Sequence, residues 1–194
     1  MADVIIPPPN FAMVARGIYR SGYPKVENCT FLKRLHLRSI VYLCPEETTE
    51  LSSFYVENNI TVVQFGIQGN KEPFIEMPED VIRQALQVIL DVRYHPLLVH
   101  CNKGKHRTGC LIGCLRKIQC WTLSSIFGEY RVFAGMKARM LDQQFIELFQ
   151  PELVQYNPRY KPEWMEGREN HCRGMKQSNS CCQETRACCF TTIK

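Results

Sequence analysis

Apolar positions along the chain follow two different periods. Residues 39–43 (Ser-Ile-Val-Tyr-Leu), 61–65 (Thr-Val-Val-Gln-Phe) and 96–100 (Pro-Leu-Leu-Val-His) are short runs rich in branched and aromatic side chains. Each has the length of a buried strand and predicts one. A shorter extended piece is predicted over 17–20, after the proline triplet at 7–9. Elsewhere the period lengthens. After Pro78, Val81, Ala85, Val88, Ile89 and Val92 recur at i, i+4, i+7, i+8 and i+11, the apolar stripe of an amphipathic helix. Asn28 is read as the N-cap of a helix reaching about Leu35, and residues 50–58, 108–119, 123–133 and 141–149 also predict helices. Strands alternating with helices make the fold class α/β, with a short, mainly parallel central sheet flanked by helices. No internal repeat interrupts this order.

Composition narrows the picture. The chain has 194 residues, 45% of them hydrophobic and 22% charged, which suits one globular domain with an appendage. It excludes wholesale disorder, a collagen-like repeat and a membrane bundle. No apolar run approaches the roughly 20 residues of a spanning helix, so no membrane span is expected. The first nine residues hold Asp3 and the prolines in place of a basic segment and a long apolar core, so a cytoplasmic protein, or one shared with the nucleus, is expected. Beyond Pro151 the large apolar residues thin out and five of the eleven cysteines gather. The expected organisation is a domain over 1–156 and a Cys-rich tail over 157–194, largely disordered from about Gly167, with Tyr160 and Trp164 available to pin its start. An odd cysteine count in a reducing compartment predicts free thiols, some buried. Acylation or metal binding at the pairs Cys181–Cys182 and Cys188–Cys189 is the alternative, although no ligand spacing stands out.

Net charge is only +5, a weak pointer to nucleic acid, and no nucleic-acid partner is expected. Its distribution says more. From Val92 to Gly128 there is no acidic residue, against Arg93, Lys103, Lys105, Arg107, Arg116 and Lys117. Such a stretch sets up a local positive field that concentrates anions.

The core of that stretch, residues 100–109 (His-Cys-Asn-Lys-Gly-Lys-His-Arg-Thr-Gly), joins the last predicted strand to a helix. Loops at the carboxyl ends of parallel strands are where open α/β sheets bind ligands. Successive backbone N–H groups and a helix N-terminus there favour an anion. Gly104 and Gly109 allow tight turning and close approach. Cys101 would be activated as a thiolate by the same amides and cations. Arg107, six residues on, would fork two N–H groups onto a phosphoryl group, and Thr108 would place a hydroxyl on the sulfur. Asn102, Lys103, Gly104, Lys105 and His106 complete the phosphate cradle. The spacing Cys-x5-Arg means little by itself. Cys110 and Arg116 repeat it inside the next helix without the strand or the loop glycines, and that copy is structural.

Residues 100–107 resemble the cysteine-dependent phosphatases, whose signature His-Cys-x5-Arg is matched by His100 to Arg107. Residues 8–11 (Pro-Pro-Asn-Phe), 17–24 (Gly-Ile-Tyr-Arg-Ser-Gly-Tyr-Pro), 65–74 (Phe-Gly-Ile-Gln-Gly-Asn-Lys-Glu-Pro-Phe), 100–116 and 137–139 (Lys-Ala-Arg) sharpen the match. Over roughly residues 7–150 the chain resembles the plant and fungal atypical dual-specificity phosphatases. The resemblance implies a dual-specificity-phosphatase-like fold, Cys101 as the nucleophile of a phosphocysteine intermediate and Arg107 as phosphate binder. It also implies removal of the β-phosphate of inositol pyrophosphates, and action by some members on phosphotyrosine.

One expected part is missing. Related enzymes place an aspartic general acid about thirty residues before the cysteine, where this chain reads Gly66-Ile-Gln-Gly-Asn-Lys-Glu-Pro73. Gln68 is no proton donor, Glu72 is either an acid or a solvated turn residue, and Asp80 suits the first turn of a helix. Asn70 and Lys71 look instead like ligands for further phosphate. Lys137 and Arg139 are further anion contacts or plain surface. His106 is a candidate acid or substrate contact, whereas His36 and His95 are structural. Three functions follow: a phosphatase of densely phosphorylated inositols, a protein-tyrosine or dual-specificity phosphatase acting on phosphoproteins, and a non-catalytic phosphate-binding adaptor. Intact Cys101, Arg107 and Thr108 argue against the third. No metal or other cofactor is expected, since loop amides and Arg107 already neutralise a phosphoryl group.

Overall fold

Four-residue strands are what such short apolar runs can form, and five of them build the sheet. The computed structural model describes residues 5–46, 50–69 and 77–166. The strands are β1 (Ala12–Ala15), β2 (Ile18–Ser21), β3 (Ser39–Tyr42), β4 (Thr61–Gln64) and β5 (Leu97–His100), in spatial order β1-β2-β5-β3-β4. Only β1 runs antiparallel, to β2, and every other pairing is parallel. The expected mainly parallel α/β sheet is therefore what forms. Central β3 and β5 are buried at every position, as strands covered on both faces must be. Edge strand β4 keeps three of its four residues exposed.

The helices are α1 (Cys29–Arg34), α2 (Ser52–Glu57), α3 (Glu79–Ile89), α4 (His106–Ile118), α5 (Leu123–Ala134) and α6 (Met140–Leu148). Helix α4 is buried over the whole run from Thr108 to Arg116, which makes it the central element of the helical layer. It begins two residues before the predicted start, so His106 and Arg107 belong to its first turn.

Three local expectations are corrected. The buried stripe of α3 is Ile82, Ala85, Leu86 and Ile89, while Val81 and Val88 are half-buried and Val92 lies beyond the helix, 39% exposed. Apolar residues flank both sides of this helix, and packing against α4 selects one. Asn28 does not cap α1 with its side chain. Its Oδ1 accepts from the Lys25 backbone N–H (2.8 Å) and its Nδ2 donates to Ile6 O (3.1 Å), tying the N-terminal segment down. Among the described cysteines, Cys29, Cys44, Cys101, Cys110 and Cys114 are free thiols, as expected. Cys120 is disulfide-bonded, which corrects the expectation of free thiols throughout. It sits past the end of α4 in left-handed backbone (φ 59°), outside the helix that encloses Cys110 and Cys114.

The decoy pair is structural. Arg116 is buried and forks onto both carboxylate oxygens of Glu129 (2.7 and 2.8 Å), with Nη1 also donating to Val14 O and Gln119 Oε1. Its guanidinium lies 4.1 Å from the Trp121 ring centroid.

Two compact units divide the chain, residues 1–161 and 162–194. In the first, Arg93 stacks 3.9 Å above the ring of Tyr160. Of the second, residues 162–166 are described, with a 3-10 turn at Glu163–Met165 that includes Trp164; the tail expected to be disordered from about Gly167 lies outside the described residues. Among the described residues no helix is long and apolar enough to cross a membrane.

Candidate active site

Register brings the carboxyl ends of three strands level. Ser21 of β2 and Tyr42 of β3 both pair with His100 of β5, so the chain leaves the sheet at Cys101 between two neighbours. His100 is enclosed, with its ring 4.9 Å from Tyr42 and 5.8 Å from Tyr23 by centroid. Burial pulls its imidazole down to about 3, which keeps the ring neutral behind the cysteine.

The loop that follows is strapped from behind. Tyr23 N–H donates to Asn102 O (3.0 Å), Asn10 Nδ2 to Lys103 O (2.8 Å) and Arg20 Nη2 to Gly104 O (2.9 Å). These bonds hold the carbonyls of residues 102–104 back towards β2 and its flanking segments. Gly104 has φ +65°, and a Cβ there would stand 2.5 Å from the Gly22 and Ser21 backbone. Only glycine fits that contact. Arg20 is 1% exposed and lies 3.7 Å over the Phe133 ring. Burial draws it down to about 10, so it remains a cation behind the loop. Cys44, at the end of β3, donates its thiol to Asn102 Oδ1 (3.3 Å), and burial pushes that thiol up.

A cleft of about 490 Å³ opens in front of Cys101. Its lining includes Cys101, Asn102, Lys103, His106, Arg107, Lys137 and Arg139 from the sequence-predicted set, joined by residues 66–69, Met77, Pro78 and Asp142. Four permanent cations thus face a single carboxylate among the described lining residues. Arg107 Nη1 donates to Ile67 O (2.8 Å), so the loop after β4 aims the guanidinium.

Not every predicted residue arrives there. Lys105 Nζ donates to Ala134 O (3.3 Å) at the end of α5 and does not line the cleft, because unpaired carbonyls at a helix C-terminus attract a cation. Thr108 is fully buried, and among the described residues its hydroxyl has no hydrogen-bond partner, the Cys101 sulfur included. Asn70 and Lys71, with Glu72, lie outside the described residues. Asp80 pairs with Arg83 in the first turn of α3, the helix-charge role read for it. His95 bonds Ile89 O (2.8 Å), consistent with a structural role.

Two residues escaped the sequence reading. Asp142, in the first turn of α6, is 4% exposed, and its Oδ2 lies 2.9 Å from His106 Nδ1. The Tyr130 hydroxyl donates to the same oxygen (2.5 Å) and accepts from Arg139 N–H (3.2 Å). A Cβ at Gly109 would come within 2.9 Å of the Tyr130 ring, so that glycine is what lets Tyr130 reach the group. Nothing local marks Asp142, which resembles any acid in a first helical turn.

Residues 5–168 match the tyrosine phosphatase family. The chain is 55% identical over 157 residues to "Inositol diphosphatase DSP4" of Arabidopsis thaliana, covering 80% of this chain and 79% of that protein. It is 57% identical over 149 residues to "Inositol diphosphatase DSP2" of Oryza sativa subsp. japonica, covering 76% and 73%. The solved core catalytic domain of the PP-IP phosphatase SIW14 from S. cerevisiae, in complex with citrate, superposes with a TM-score of 0.74 at 47% identity, over 78% of this chain and 91% of that one.

Proposed function

The chain belongs to the tyrosine phosphatase family, and on that premise we propose that it is a cysteine-dependent phosphatase hydrolysing the β-phosphate of inositol pyrophosphates. The observation that carries this reading is the placement of Cys101 and Arg107 on one loop-to-helix turn inside a cleft lined by Lys103, Lys137 and Arg139. A substrate dense in phosphate suits that balance of charge, and relatives more than half identical bear the name inositol diphosphatase.

In the first step the Cys101 thiolate attacks the β-phosphorus. A sulfur–phosphorus bond forms as the anhydride oxygen–phosphorus bond breaks, and the inositol phosphate leaves with the electron pair. Loop amides, the start of α4 and the Arg107 fork hold the equatorial oxygens. Water then attacks the phosphocysteine, the sulfur–phosphorus bond breaks, and orthophosphate is released as the thiolate re-forms.

Leaving-group chemistry orders the substrates. A phosphate monoester has a second pKa of about 6, a tyrosine phenol about 10, and an alkoxide comes from an acid as weak as water, about 15.7. The first departs with least help from a general acid. The expected order of kcat/KM is inositol pyrophosphate, then aryl phosphate, then phosphoserine peptide, with Cys101→Ser abolishing all three while retaining anion binding. Side-by-side turnover by the purified full chain tests this. Efficient phosphoserine hydrolysis with inositol pyrophosphate left intact would refute it and favour a protein-phosphatase role.

A further inference from the structure

His106, Tyr130 and Asp142 come from three successive helices, 12 to 36 residues apart in sequence, and meet at one carboxylate oxygen. His106 Nδ1 is 2.9 Å from Asp142 Oδ2 and 3.3 Å from the Tyr130 hydroxyl. The side chain of Asp142 is 5% exposed and that of His106 19%, and both residues line the cleft. A carboxylate so enclosed is expensive unless charge and hydrogen bonds meet it. Tyr130 brings a hydrogen bond but no charge, because burial and the Asp142 carboxylate hold its phenol protonated. The His106 ring, 2.9 Å away, is the group placed to meet that carboxylate.

We propose that His106 is a specificity-determining phosphate ligand, positioned by Asp142 and Tyr130, that grips a phosphate of the leaving inositol and not the phosphoryl group transferred to Cys101. The inference rests on the inositol pyrophosphate reading and deepens it. With Nδ1–H committed to Asp142, the nitrogen left for the cleft is Nε2. A bare lone pair there would repel phosphate oxygens, whereas an N–H donates to them with a full charge behind it. A general acid would have to surrender that proton at every turnover, stranding the Asp142 charge in the wall. Held against Asp142 on one side and facing the cleft on the other, the ring binds. Tyr130 extends the device, since its hydroxyl accepts from the Arg139 backbone N–H and so fixes the segment that carries Lys137 and Arg139 into the same cleft.

The test uses the purified full chain turning over para-nitrophenyl phosphate, with inositol hexakisphosphate and inorganic phosphate as competing inhibitors. His106→Asn is expected to raise the Ki of the hexakisphosphate about tenfold to a hundredfold, the worth of a charged hydrogen bond. The Ki of inorganic phosphate is expected to rise far less. Asp142→Asn and Tyr130→Phe should shift the same ratio in the same direction, and His106→Asn combined with Asp142→Asn should be no worse than the weaker-binding single variant. Tyr130→Phe removes one oxygen only, so it answers even if Asp142→Asn fails to fold. Parallel weakening of both inhibitors overturns the proposal in favour of a purely structural cluster. A large fall in kcat with both Ki values unmoved overturns it in favour of a general acid. A wild-type protein inert towards inositol pyrophosphate would refute the function proposed above, and the ratio of Ki values would still decide the role of His106.

Discussion

Replacing Gly104 by alanine tests how the phosphate loop is held. Gly104 adopts φ +65°, and an added Cβ would stand 2.5 Å from Gly22 N, Ser21 C and Ser21 O. All three are backbone atoms, and Ser21 is fully buried while paired with His100. No flexible side chain can give way. Left-handed backbone costs an L-residue about 1–2 kcal/mol, and overpacking adds about 1–3 kcal/mol. For a chain of this size, each kcal/mol lowers Tm by about 2–4 °C, so the sum predicts a fall of about 4–20 °C. Turnover should fall as well, because separating the loop from β2 breaks the hydrogen bond from Arg20 to the Gly104 carbonyl. Thermal unfolding followed by circular dichroism, with aryl phosphate turnover measured below the transition, reads both effects. Gly128 provides the opposite sign. It lies on an exposed stretch of α5 with nothing within 4 Å of where a Cβ would stand, so alanine there should stabilise by about 0.5–1 kcal/mol. Unchanged melting and turnover for Gly104→Ala would refute the reasoning, as would equal effects at the two glycines.

Two further predictions separate chemistry from architecture. Arg107→Lys keeps the charge but loses the fork, and should cut kcat about 10²–10³-fold by comparison with other preorganised donors. Arg116→Lys should instead leave steady-state turnover near normal and destabilise by at least about 1.5–3 kcal/mol, since its fork holds Glu129 and the Val14 carbonyl; paired kinetics and urea unfolding decide, and matching profiles at both arginines would contradict the assignment. His100 sets a pH dependence: burial pulls it from 6.5 to about 3, so between those values the unfolded chain binds a proton that the folded one does not. Stability from this source is complete above about pH 6.5 and falls on acidification by up to about 1.4 kcal/mol per pH unit. Urea unfolding across that range should show a shallower slope for His100→Leu than for the wild type, and identical slopes would refute it.

Four parallel strands, the helices and the phosphate loop are legible without any structure, because each is written in adjacent residues. A buried four-residue run in β3 or β5 is recognisable from its branched side chains, and the loop from its cysteine, glycines and cations within ten positions. The function is legible there too, since the signature His100-Cys101-x5-Arg107 lies within that loop. Strand β1 is not: Ala-Met-Val-Ala carries little strand signal, and pairing with β2 makes it a strand. Which apolar residues of α3 turn inward is settled by the surface the helix meets. Lys105 leaves the phosphate site for the Ala134 carbonyl, Asn28 gives up a cap for the Ile6 carbonyl, and Arg116 reaches Val14, 102 residues away. The meeting of His106, Tyr130 and Asp142 has the same origin. Periodicity and motif spacing are local properties of the chain. The partner of a polar side chain is instead fixed by what packing brings beside it, because a buried polar group takes the nearest group that satisfies it, however distant in sequence.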